Sequence, residues 1–175
     1  MKKAIFYIGI LGAFAGITLV ESCTHDPILN EDINQELYEM AKSTDGFTWY
    51  QLSDMGLAKS AGTGHNTSPM LRTRYNDVAS LYLDSNGMVI ANTQYPDGSL
   101  IVKELLSSGG DIDRYAILYK DSDNLSADGN GWVWGYIDAD GIVAISATDK
   151  GTACISCHSQ ADNIDYMLMN KAFPL

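Results

Sequence analysis

The chain has 175 residues, 46% of them hydrophobic and 19% charged, which is the make-up of one folded domain with its own core and excludes a disordered polymer. Its formal charge of −11 is spread along the chain, which speaks against nucleic acid and anionic surfaces as partners and leaves basic ones open.

The first residues read as an export signal. Lys2 and Lys3 precede an apolar run from Ala4 to Val20, and Val20-Glu21-Ser22-Cys23 resembles a lipobox, in which the cysteine is acylated and becomes the new N-terminus. Glu21 is unusual in that place. The expectation is a lipoprotein-type signal peptide over 1–22, lipidation at Cys23, a tether over 23–30 and one domain over 31–175. The alternative is an uncleaved single span, since the run is long enough to cross a bilayer. Either way the domain is a bacterial exported one, anchored to a membrane and facing the periplasm or the cell surface.

"NEDINQELYEMAK" (30–42) places Ile33, Leu37 and Ala41 on one helical stripe with Met40 beside it, behind Asn30 as a cap, and predicts an amphipathic helix ending near Gly46. Residues 47–69 hold a brief aromatic "FTWY" and then a glycine- and serine-rich stretch without a period, expected as a long loop. "LRTRY" alternates as a strand does, and "NDVASLYLDSNG" predicts a short helix capped by Asn76 and stopped at Gly87.

The second half is strand-like. "SLIVKELLS", "RYAILYKD", "GWVWGYIDADG" and "IVAISA" are rich in branched and aromatic residues and are parted by turns at Pro96-Asp97-Gly98, Asp128-Gly129 and Asp140-Gly141. The predicted class is α+β, an antiparallel β-sheet with packed helices and a C-terminal CxxCH haem-binding helix.

That last element is "GTACISCHSQ". A disulfide or a thioredoxin-type pair would use Cys154 and Cys157 but has no need of His158. Zinc would need two more ligands, and His25 or His65 from distant stretches make a poor tetrahedral set. C-x-x-C-H is the attachment signature of c-type haem: the two thiols add across the two porphyrin vinyl groups, and the adjacent imidazole reaches the iron. The cofactor expected is one haem c per chain, held by Cys154 and Cys157, with His158 as axial ligand and its second ring nitrogen bonded to a carbonyl or water. Only a short tail follows, so Met167 and Met169 are expected in packing roles and the other haem face must be built by upstream chain.

"RYNDVA", "YPDGSLIVKELL", "GWVWGYIDADG" and "CISCHSQADNIDYML" together resemble the successive blocks of the cytochrome P-460 family, including its cytochrome c-prime-beta branch, over roughly residues 30 to 171. The resemblance implies an antiparallel sheet, a C-terminal CxxCH haem and a five-coordinate iron with one face open. In hydroxylamine-oxidising members the lysine of the "VKE" block is joined to the porphyrin, and Lys103 stands in that place. Strand alternation puts Ile101, Lys103 and Leu105 on one face, an odd setting for a solvated lysine, although an edge or snorkelling lysine is the plainer reading.

Those members also place a carboxylate above the iron. Here Tyr119 falls near that position by the resemblance, and Asp121 and Asp123 belong to an acidic turn. Gas-binding members cap the iron with phenylalanines. With only Phe47 and Phe173 in this domain, the distal cover is expected from Tyr119, Tyr115, Trp132 or Trp134, which also read as plain core. His65 could reach the iron if its loop folds over, or stay in solvent. Two functions follow: binding or oxidation of hydroxylamine or nitric oxide with electrons passed to a redox partner protein, or nitric oxide binding or electron transfer without turnover. A homodimer is compatible with either.

Overall fold

The structure, a computed structural model, describes residues 32–59, 64–65, 68–161 and 163–167. The expected signal peptide, Cys23, His25, Met169 and Phe173 lie outside these residues, as does Asn30. No helix among the described residues is long and apolar enough to cross a membrane.

Helix α1 (Ile33–Lys42) starts two residues after the expected cap region opens, because the Asp32 carboxylate accepts from the Asn34 amide at 3.1 Å and takes the capping role. Its stripe is the predicted one: Leu37 and Ala41 are fully buried. Among the described residues seven strands form one antiparallel sheet: β1 (Thr48–Trp49), β2 (Leu57–Ala58), β3 (Met70–Tyr75), β4 (Leu100–Leu106), β5 (Ile112–Lys120), β6 (Trp132–Asp138) and β7 (Val143–Ile145). Their order is β1-β3-β4-β5-β6-β7, with β2 on the same side of β3 as β1 but farther along it. β3 to β7 therefore make a meander in which each strand pairs with its successor.

Two expectations are corrected here. The loop over 47–69 contains β1 and β2, each two residues long and formed by pairing with β3. The helix expected over 76–87 shortens to α2 (Asp77–Ser80), because the Asp84 carboxylate accepts from the amides of Asn86 (2.8 Å) and Met88 (2.9 Å) and turns the chain back. Leu83 then bridges to Val89.

Register decides which side chains share a face. Thr73, Lys103, Ala116 and Tyr136 stand in one row across β3 to β6, and Tyr75, Ile101, Leu118 and Trp134 in the next. The opposite face carries Val102, Tyr115, Ile117, Val133 and Ile137 against Leu37 and Ala41 of α1. Also on that face, Glu104 is paired with Arg74 (2.8 Å) and Arg72 (2.5 Å), and Arg74 donates to the carbonyls of Ala41 and Ser43, the otherwise open C-terminus of α1.

Candidate functional site

The cysteine motif is brought to the first face by a tight approach. Ser146 caps a short 3-10 turn (Ala147–Asp149), and Lys150 and Gly151 follow in left-handed conformation, at φ 50° and 68°. A Cβ on Gly151 would lie 2.5–2.7 Å from the Trp134 indole, so only glycine lets the chain rest on that ring. Gly151→Ala is expected to push the motif off the sheet and to lower stability by about 1–3 kcal/mol, from overpacking and backbone strain together. Urea unfolding checks it; an unchanged midpoint would mean the ring moves freely.

The expected haem-motif helix is a single turn, α3 (Ile155–His158), closed by the His158 amide donating to the Cys154 carbonyl at 3.1 Å. Cys154 is half-buried, Cys157 exposed, and both are free thiols. Burial and the neighbouring Cys157 push the Cys154 thiol above its ordinary pKa.

His158 is oriented by the chain that follows it. Its Nδ1 donates to the Tyr166 carbonyl at 2.6 Å, and because a carbonyl only accepts, Nε2 is left with the free lone pair, the form that binds a metal. The carbonyl is aimed by Asp165 and Tyr166, both left-handed (φ 41° and 68°). Asp165 anchors this turn to the sheet side, accepting from the Tyr95 amide (2.8 Å) and the Trp132 indole (3.2 Å) beside Lys120 (3.6 Å). The Trp134 ring stands edge-on to the imidazole at 5.2 Å. Asn163 closes the turn by donating to the His158 carbonyl at 2.9 Å.

In front of His158 lie two adjoining clefts that share Cys154, His158, His65 and Tyr136. The first runs onto the sheet, where Thr73, Ile101, Lys103, Ala116, Leu118 and Trp134 line it with Met167. The second opens past Cys157, Ala153 and Ile145. Burial pulls Lys103 down to about 8. Burial and the Lys103 charge pull His158 down to about 4, and burial, Lys103 and His158 pull His65 down to about 3. Both imidazoles are therefore neutral at pH 7.

Among the expected site residues, Lys103, Trp134, Cys154, Cys157 and His158 are gathered at these clefts. Tyr115 and Tyr119 are not: Lys103 pairs with Ala116, so on β5 it is Ala116 and Leu118 that face the clefts. Tyr115 instead packs edge-on against Tyr38 of α1 at 6.2 Å, and Tyr119 joins the same layer. Trp132 is on the cleft face but one step beyond, where its indole N–H holds Asp165. Phe47 lies across the sheet under the Arg74 guanidinium at 4.5 Å. Asp121 is in the turn as expected, bonded by the Asn124 amide at 3.2 Å.

His65 is not in solvent but lies in both clefts, its Nδ1 3.2 Å from the Tyr136 hydroxyl and its ring 5.3 Å from that of Tyr136. Sequence reasoning passed over Tyr136, although it alternates with Trp134 on the strand and so had to share its face. Met167 is buried in the core beside Ile164, as expected for a packing methionine.

A pair of free thiols within one turn, a metal-binding imidazole tautomer and an apolar cleft with few polar groups fit a haem. The CxxCH turn resting on a meandering antiparallel sheet is a candidate haem site. The family model described as Cytochrome P460 matches residues 58–169, and the chain belongs to that family, which implies a haem cofactor and an iron-binding cytochrome. No match was found among curated proteins or among solved structures.

Proposed function

We propose that the protein is a membrane-tethered mono-haem c cytochrome whose iron binds or oxidises a small nitrogen compound, hydroxylamine or nitric oxide. The observation that carries this is the Nδ1–H of His158 fixed on the Tyr166 carbonyl, with its free nitrogen left to the clefts beside two free thiols. Cys154 and Cys157 would hold the group through thioethers, and His158 would ligate its iron. Haem iron, when bound, supplies a redox-active centre with a coordination position for a small ligand. Trp134, Ile101 and Leu118 exclude water from the sheet side. Lys103, drawn toward the neutral amine by burial, is the candidate for a covalent link to the porphyrin edge. Lipidation at Cys23 would hold the domain on the outer side of a membrane, within reach of a redox partner.

A non-catalytic reading, nitric oxide binding or electron transfer, is favoured by one observation: among the described residues no carboxylate lines either cleft, so no Asp or Glu is in place as a general base. Absorption spectra of the haem-loaded protein, with a pyridine haemochrome and intact mass, separate these readings. A far red-shifted reduced Soret band lost in Lys103→Ala means the linked, oxidising type; an ordinary high-spin haem c spectrum responsive to nitric oxide means the binding type. Cys154→Ala/Cys157→Ala in a Lys103→Ala background is expected to abolish covalent haem entirely, read as haem stain lost in a denaturing gel. Retained stain, or wild type that takes up no haem, overturns the proposal.

A further inference from the structure

We propose that His65 is a ligand-contacting residue of the haem site, its Nε2 hydrogen-bonding a small ligand held in the clefts that it shares with His158. The inference rests on the functional reading above and goes beyond it by assigning the residue that senses the ligand.

Three observations carry it. First, His65 reaches the clefts from the segment between β2 and β3, whereas His158 enters from α3, so two imidazoles from distant parts of the chain line the same space. Second, the ring is held. Its Nδ1 meets the Tyr136 hydroxyl at 3.2 Å, and Tyr136 is itself pinned by the Arg114 guanidinium 4.5 Å over its ring, with Arg114 paired to Asp138. Third, the backbone is set for it: His65 is left-handed at φ 64°, a conformation histidine adopts more readily than most residues, and its carbonyl accepts from the Lys59 ammonium, while the Lys59 amide donates to Pro69 at 2.9 Å.

With Nδ1 engaged, Nε2 is the ring atom left for a ligand. A tyrosine hydroxyl can donate to Nδ1 or accept from it, so Nε2 can present either a proton or a lone pair. A ligand held there would be small, with one atom able to give or take a hydrogen bond, as in hydroxylamine and nitric oxide.

The test uses the haem-loaded protein with carbon monoxide as probe, reading its dissociation rate and its C–O stretching frequency in wild type, His65→Leu, His65→Gln and Tyr136→Phe. Loss of one hydrogen bond is expected to speed dissociation about 3- to 10-fold in His65→Leu and to raise the stretching frequency. Tyr136→Phe is expected to shift both in the same direction by less, and His65→Gln to stay near wild type. Unchanged values in His65→Leu and Tyr136→Phe, at normal haem content, overturn the assignment alone. So does a six-coordinate low-spin wild type that becomes high-spin in His65→Leu, since His65 is then an iron ligand. Wild type without haem overturns the functional reading itself, and this inference with it.

Discussion

Glu104→Ala is expected to cost about 3–5 kcal/mol of folding stability, the loss typical when one partner of a buried ion pair is removed. Glu104 is 1% exposed and Arg74 is fully buried, so the alanine leaves a guanidinium deep under α1 with its Nε unpaired. Arg72, the second partner, can turn to solvent more easily. Arg74 also carries the last carbonyls of α1 and stacks on Phe47, so the loss spreads to the helix and its following loop. Glu104→Gln, which keeps the shape and one acceptor, is expected to cost less. Urea denaturation measures both; a loss under about 1 kcal/mol for Glu104→Ala would mean water enters and solvates the pair.

Acid is expected to unfold the haem-free protein through its two cleft histidines. In the unfolded chain a histidine titrates near 6.5, whereas in the fold His158 is held at about 4 and His65 at about 3. Above about pH 6.5 neither state takes up the proton and the full stability is present. Below it the unfolded chain binds protons that the fold refuses, so stability falls by about 1.4 kcal/mol per pH unit for each histidine. The loss continues until the folded forms titrate too. The check is a series of urea unfolding curves from pH 7 to 5 on wild type and on His158→Ala, in which the variant loses about half of the slope. Equal slopes would show that His158 is solvated in the haem-free state.

Much of this fold was legible in the residues. The stripe of α1, the strands β3 to β6 and their Asp-Gly and Pro-Asp-Gly turns carry strong local patterns, and alternation set Lys103 beside Ile101 and Leu105. Local patterns end at the edge of each strand, and there the reading stopped. Which alternate set of β5 shares a face with Lys103 depends on its pairing with Ala116, a register that no single strand encodes, and Tyr115 and Tyr119 were misplaced for that reason. β1 and β2 are too short to show a period; β3 imposes them. His65 sits in a glycine-rich stretch with no pattern to aim it, and its position comes from Lys59 and Tyr136, one near in sequence and one on a distant strand.

The acceptor that orients His158 is a peptide carbonyl, and this has a consequence for how the protein can change over time. A side-chain acceptor can be deleted or exchanged by one codon, whereas the Tyr166 carbonyl survives every substitution at its own position. In the haem reading proposed for His158, iron affinity and reduction potential, to the extent that they follow the basicity of the imidazole, would then depend on two left-handed backbone angles. Drift at Tyr166 would act by bending the main chain, so β-branched replacements should be poorly tolerated there and glycine or asparagine accepted, whereas any replacement of Asp165 also removes the carboxylate that anchors the turn.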